Sequence, residues 1–386
     1  MTSPWFLLLA FVPLAWHGWQ ISGWSHRFKT AWSRTDSGKV SPPVLTAYCD
    51  NITVVLPVRN EVVNLPNLLL DLAAGRQLPA GVIIVDDASE DGTLDAVQQL
   101  TTLPFPVRTM ANPGRGKKPG LSTGIRATQT TWVVQVDADV RMGHDFISAI
   151  AERLASTGEQ TDMMLLPLRL ADCAGRAPNK RFARLQALDF AAMQGWAVAA
   201  VQRQRPAMAS GGAWVWRSSA FPHDELKPEL ASGDDVFALS ALIKRGDARR
   251  VGWCGDPRAM ASAGTMPDLQ SLLDQRIRWG AKSAAYPRSL SEARRVASVV
   301  AAVHVFGLVL LCLNPLAGGV YWTIKSGIDM AYTHQVGTAY GLFDGLSRLQ
   351  RAQDLLLLAF VHPLFIITTL ILMPFRKAQW KGRATG

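Results

Sequence analysis

The chain has 386 residues, of which 48 % are apolar and only 18 % charged, and a formal net charge of +10. Its four cysteines, Cys49, Cys173, Cys254 and Cys312, are scattered with no close pair, which argues against a disulfide framework or a zinc site and fits a reducing compartment. The basic surplus suits anionic lipid or a phosphorylated substrate. No zinc-finger spacing, RNP-like aromatic motif or arginine-rich helix is present, so no nucleic-acid partner is expected.

Residues 4–21 form an uncharged hydrophobic stretch with Trp16, Trp19 and Trp24 as interfacial anchors. They predict an N-terminal transmembrane anchor over residues 1–24. A cleaved signal would show a basic start and a small-residue cleavage site, and neither is seen. Apolar runs then alternate with helical patterns across a domain at residues 45–290. Strands are expected at 52–58, 82–85, 105–110 and 131–136, and helices at 64–74, 93–100, 121–128 and 146–155. This alternation predicts an α/β fold with a mostly parallel sheet flanked by helices. The Ala- and Gln-rich stretch at 177–204 predicts a long packing helix. The apolar runs 296–322, broken at Asn314-Pro315, and 355–375, with His362-Pro363 inside, predict about two C-terminal transmembrane helices within 296–376.

The flanking charges give one topology. Arg27, Lys29, Arg34 and Lys39 follow the first segment. Arg294 and Arg295 precede the second, and Arg376, Lys377, Lys381 and Arg383 follow the third. Positive-inside then puts residues 25–295 and the C-terminus in the cytoplasm and the 325–354 connection outside. An integral membrane protein of a bacterial inner membrane is expected, with its catalytic domain cytoplasmic.

Ligands of open α/β sheets sit beyond the carboxyl ends of the strands. Three expected strand ends carry acids there: Arg59-Asn60-Glu61, Asp86-Asp87, and Asp137 with Asp139. Alternate residues of an extended segment share a side, so Asp137 and Asp139 can converge on Mg²⁺ or Mn²⁺. An Asp-rich turn is the competing reading. The loop at 113–120, Pro-Gly-Arg-Gly-Lys-Lys-Pro-Gly, suits phosphate without having P-loop spacing. Gly-Leu-Ser-Thr-Gly at 120–124 matches a nucleophile elbow in letters only, because no strand leads into Ser122. The paired Asp234 and Asp235 precede an apolar helical run. They suit either an N-cap or a general base at the mouth of a site. Gln-Arg-Ile-Arg-Trp at 275–279 also reads as a basic segment against anionic lipid.

Five motifs in order carry a resemblance over residues 50–282. They are Val-Leu-Pro-Val-Arg-Asn-Glu at 55–61, Val-Asp-Asp-Ala-Ser at 85–89, Asp-Ala-Asp at 137–139, Gly-Asp-Asp at 233–235 and the 275–279 run. The set resembles the family 2 glycosyltransferases of GT-A fold. The resemblance implies that Glu61, Asp86 and Asp87 hold the base and ribose of a nucleotide sugar, with uridine expected, and that Lys117 approaches the donor. It implies Mg²⁺ or Mn²⁺ on Asp139 and Asp137, and Asp235 as the general base of an inverting transfer. Gln275, Arg278 and Trp279 would close over pyrophosphate and acceptor, with Gly211, Gly212, Trp214 and Asp234 nearby. Asp234 stands where many members have Glu. One anchor before and about two spans after are similar to ceramide glucosyltransferase and related lipid glycosyltransferases, which implies a membrane lipid or lipid-linked acceptor. A processive polysaccharide synthase and a non-catalytic nucleotide-sugar sensor are the alternatives.

Overall fold

The structure, a computed structural model, describes residues 4–33, 40–172, 179–227, 230, 233–281, 290–373, 375, 379–380 and 383–384. Arg34, Lys39, Cys173, Arg376, Lys377 and Lys381 lie outside the described residues.

After α1 (Pro4–Ser33) and α2 (Pro42–Cys49), the chain alternates strand and helix as far as α6. The elements are β1 (Ile52–Val58), α3 (Asn64–Ala73), β2 (Gly81–Asp86), α4 (Thr93–Gln98), β3 (Val107–Ala111), α5 (Lys117–Arg126), β4 (Trp132–Val136), β5 (Arg141–Met142) and α6 (Phe146–Thr157). β1 lies between β2 and β4, parallel to both, with Val54 opposite Val82 and Val134. Alternation sorts its side chains. Ile52, Val54 and Leu56 pack with Leu65, Leu68, Leu69 and Leu72 of α3, whereas Val55 packs with Leu121 and Ile125 of α5. Covering on both faces is why these strands read as unbroken apolar runs. α5 approaches β1 closely through Gly124, where an added Cβ would lie 2.4 Å from Val55 Cγ1.

The second half departs from simple alternation. β6 (Met163–Leu165), β7 (Leu168–Ala171), α7 (Lys180–Gln202), β8 (Ala213–Arg217), α8 (Asp234–Lys244), β9 (Val251–Trp253), β10 (Ala261–Gly264) and α9 (Leu269–Ala281) follow. The main sheet has the order β3-β2-β1-β4-β8-β6-β9, and β8 runs antiparallel to both β4 and β6. A small second sheet, β5-β10-β7, stands beside it.

Three helices end the fold: α10 (Ser291–Leu313), α11 (Pro315–Ala339) and α12 (Arg348–Leu372). The run expected as one span at 296–322 is two helices. Asn314 caps α11 by accepting from the Ala317 N–H at 3.1 Å, and Pro315 starts it. α11 folds back on α10, with the Tyr321 hydroxyl donating to Val303 O and the Trp322 indole to Gly307 O. It ends against the α/β domain, where the Tyr332 hydroxyl donates to Ala192 O at 3.1 Å. The expected outside position of the 325–354 connection therefore fails. Tyr340 O accepts from Arg169, and Gln353 O and Asp354 accept from Arg181, all in contact with the domain. Lys325 and Asp329, expected in a connection, pair inside α11 at 2.7 Å, and His17 of α1 joins Asp329 at 2.8 Å.

Among the described residues, α10 and α12 are long and apolar enough to cross a membrane. Only 28 % and 17 % of their most apolar stretches are buried in the protein, unlike the core helix of a soluble domain. α1 is not one of the two; its apolar stretch is interrupted by the buried polar side chains His17 and Gln20. α12 stays with the domain. Asp354 in its first turns pairs with Arg181 and Arg184, His362 faces Asp189 at 3.3 Å, and Met373 just beyond its end lies beside Gly280.

Candidate active site

β1, β2 and β4 end on one edge, and a cleft of about 450 Å³ opens there. The buried Arg59 guanidinium ties the first two strand ends together, donating to the main-chain oxygens of Asp87 at 2.7 Å and Ala88 at 3.0 Å. Asp87 is buried at the cleft wall and accepts from the Asn112 amide at 2.9 Å and the Gly116 N–H at 3.0 Å. Glu61 lines the same wall and accepts from Asn64 at 2.7 Å. Asp86 does not line the cleft. As the last residue of β2 it turns inward and accepts from the Ser89 N–H at 3.1 Å, closing the turn that positions Asp87.

Asp137 and Asp139 both line the cleft, by a route other than strand alternation. β4 stops at Val136, and Asp137 O accepts from the Val140 N–H at 3.1 Å. The two carboxylates are presented by a turn. The expected basic loop is also shorter than its sequence suggests, since α5 begins at Lys117. Lys118 points away and donates to Lys227 O at 2.8 Å. Lys117 points in. Its Nζ lies 2.7 Å from Asp137 Oδ1, 3.0 Å from Asp234 Oδ2 and 2.8 Å from Gly211 O. Burial works against its charge, but Asp137 and Asp234 outweigh that and hold the ammonium well above the ordinary lysine range.

Asp234 and Asp235 open α8. The N-cap is Gly233, whose φ of +89° is easy only for glycine. Neither Asp is therefore the cap. Both sit in the first helical turn, where the helix dipole favours carboxylates. Asp234 is buried at Lys117. Asp235, half-buried in the cleft, accepts from the Val236 N–H at 2.8 Å. Ala231 and Ser232, just before, lie outside the described residues.

α9 supplies Gln275, Arg278 and Trp279 to the opposite wall. Burial lowers the Arg278 pKa, while Asp137, Asp234 and Asp235 oppose the shift; the guanidinium stays charged. Arg276 faces away, donates to Asp189 of α7 at 2.6 Å and stacks on Trp279 at 4.5 Å. The Asp189 carboxyl is buried, which opposes ionisation, but Arg276 and His362 hold it below the usual carboxylate range.

Gly212 lines the cleft, but Trp214 does not. Trp214 is fully buried edge-on to Trp216, because β8 is an interior strand covered on both faces. Sequence reasoning missed the third wall. Phe190, Met193 and Gln194 of α7, with Leu168, Met208 and Met266, line it. The available signal was Gln186 and Gln194, eight residues apart on one stripe of an Ala-rich helix, both buried. Ser122 is no elbow. It lies within α5, outside the cleft, and bonds His223 Nδ1 at 2.7 Å.

Residues 53–203 match the family profile of Glycosyl transferase family 2. In fold the chain is similar to a mannosyltransferase from Pyrobaculum calidifontis solved with GDP-Man and Mn²⁺. The identity is 16 %, 96 % of this chain and 99 % of that one are covered, and the TM-score is 0.54. Glucosyl-3-phosphoglycerate synthase from Mycobacterium tuberculosis, solved with Mn²⁺ and UDP, matches at 18 % identity, 64 % and 86 % coverage and a TM-score of 0.42. Mannosyl-3-phosphoglycerate synthase from Rubrobacter xylanophilus matches at 14 %, 69 % and 83 %, and 0.42.

Proposed function

From the match of residues 53–203 to Glycosyl transferase family 2 and the fold, we propose that the protein is a glycosyltransferase that transfers a sugar from a nucleotide sugar to a membrane lipid or lipid-linked acceptor, with inversion. One observation carries the reading. Asp137, Asp139, Asp235 and Arg278 share a cleft whose α7–α9 wall is joined, through Asp189, to the apolar helix α12.

Glu61 and Asp87, which line the cleft, would hold the base and ribose of the donor, UDP-linked in our reading. The carboxylates of Asp137, Asp139, Asp234 and Asp235 line one cleft with Lys117 and Arg278. Their hard oxygen donors fit Mg²⁺ or Mn²⁺. Among the described residues no group of three acids, His or Cys forms a cage, and such ions are held by one or two carboxylates with substrate phosphates completing the shell. Asp139 and Asp137 would hold the ion, which supplies charge neutralisation of the diphosphate when bound. Asp235, in the first turn of α8, takes the proton of the acceptor hydroxyl. The acceptor oxygen then bonds to the anomeric carbon as the carbon–oxygen bond to the diphosphate breaks. Lys117 and Arg278 offset the departing charge, and Gln275 and Trp279 cover it.

We place the domain at the cytoplasmic face of a bacterial inner membrane, with α10 in the bilayer, α12 along the domain at the membrane surface and α1 as an anchor, because α12 touches the domain from Asp354 to Met373, Arg294 and Arg295 begin α10, and Arg27 and Lys29 lie in the later turns of α1. The test is nucleotide release by purified protein given UDP- and GDP-sugars with Mn²⁺. Release that requires added native lipids supports the reading. Release equal with and without lipid removes the lipid acceptor from it.

A further inference from the structure

The third wall of the cleft holds one polar group that the donor does not need. Gln194 lines the cleft from α7 and is 3 % exposed, and its amide Nε2 is buried with no hydrogen-bond partner among the described residues. A buried amide left unmet is costly, and native structures rarely keep one without a reason. The residues around it are apolar: Phe190 and Met193 on the same helix, with Leu168, Met208 and Met266 facing them. Gln275 across the cleft has the opposite defect, a buried Oε1 with no partner. One open N–H and one open oxygen acceptor are what a hydroxyl, which both accepts and donates, can satisfy.

The wall also has a direction. α7 touches α12 through Asp189 at His362, α11 through Ala192 O at the Tyr332 hydroxyl, and α1 through Trp196 beside Trp24 at 6.2 Å. An amphiphile arriving from the bilayer meets this wall, whereas the nucleotide occupies the β1–β4 edge. The cations of the cleft are engaged on the other side. Arg59 is bonded to main-chain oxygens and Lys117 to Asp137 and Asp234, while Arg278 faces the acids and the leaving diphosphate.

We infer that Gln194 is an acceptor-binding and specificity-determining residue, and that it takes the neutral oxygen of a hydroxyl-bearing lipid, not a lipid phosphate. A carboxamide in an apolar wall selects uncharged hydroxyls, because a phosphate oxyanion brought there would be desolvated without a matching cation. The inference rests on the proposed lipid transfer and sharpens it to one acceptor class.

The experiment uses full-length protein in nanodiscs of native polar lipids, with radiolabelled UDP-glucose and GDP-mannose and Mn²⁺. The labelled lipid is expected to survive mild acid, as an O-glycoside does; an acid-labile glycosyl phosphate overturns the assignment. Gln194→Leu is then compared with wild type. Transfer at limiting lipid is expected to fall roughly 10- to 100-fold, while affinity for the nucleotide sugar changes less than about twofold and the melting temperature does not fall. A structural role would instead lower the melting temperature. Gln194→Glu, which keeps the size and removes the N–H, is expected to lose transfer as well. Unchanged transfer in Gln194→Leu, or donor affinity falling in step with it, overturns the role of Gln194 alone. No labelled lipid from wild type overturns the lipid reading and this inference together.

Discussion

Two charged clusters sit at opposite edges of the main sheet. At the amino edge, Asp162 lies between two arginines, accepting from Arg250 at 2.6 Å and Arg217 at 3.2 Å, and Arg217 also stacks over Trp132 at 4.5 Å. At the carboxyl edge, Lys117 lies between Asp137 and Asp234, with Asp139 and Asp235 nearby. Both clusters are compact and strongly paired. They differ in what they open onto. The amino-edge cluster is cationic and lines no part of the cleft, so its pairing joins β4, β6, β8 and the approach to β9. The carboxyl-edge cluster opens into the cleft. Pairing alone does not distinguish a structural tie from a site; titratable groups gathered on a cleft do.

The comparison breaks if substitutions at the two edges have the same effect. The largest loss of turnover is expected for Asp235→Asn, about 10²- to 10⁴-fold in transfer, as for a lost general base, with melting temperature and nucleotide affinity unchanged. Equal loss of binding and turnover in kinetics with matched titrations would remove Asp235 from the base role. Asp139→Ala should weaken Mn²⁺-dependent nucleotide binding by more than about 100-fold, read as calorimetric affinity with and without Mn²⁺; affinity that ignores the metal contradicts it. Asp162→Asn should do the reverse, costing about 3 kcal/mol of stability while leaving the KM for donor as it was. Its pH dependence has a definite sign. Burial opposes ionisation of Asp162, but Arg250 and Arg217 hold its carboxyl below the usual range. Its contribution is therefore present above the ordinary carboxylate pKa and lost as pH falls through the lowered one. Denaturation midpoints of wild type and variant should differ at pH 7 and converge below about pH 4. The smallest effect, under about 0.5 kcal/mol, belongs to Arg126→Ala, because its partner Asp224 is 95 % exposed.

What the sequence made legible follows from how locally each feature is encoded. β1, β2 and β4 were readable because strands covered on both faces are continuous apolar runs, and their ends delivered Asp87, Asp137 and Asp139 to one edge. Asp86 was misplaced because one residue along a strand end reverses the facing of the side chain. Trp214 was misplaced for a related reason: the position of β8 inside the sheet depends on pairing with β4 and β6, which adjacent residues do not specify. β6, β7, β9 and β10 have three or four residues each, too few for a period to register. Phe190, Met193 and Gln194 read as packing positions, since only the placement of α7 beside β7 and α9 turns that stripe toward the cleft. Asn314-Pro315 was visible as a break in an apolar run. That the chain turns back there, placing 340–354 on the domain, depended on contacts with α1 and α7.

The most direct measurement is the mass of lipids extracted after wild-type protein, in native-lipid nanodiscs, has consumed a nucleotide sugar with Mn²⁺. A lipid heavier by one hexose, formed in step with nucleoside diphosphate and missing in Asp235→Asn, is the expected result. Nucleoside diphosphate without a glycosylated lipid, or with a lengthening polymer, would contradict single transfer to a membrane acceptor.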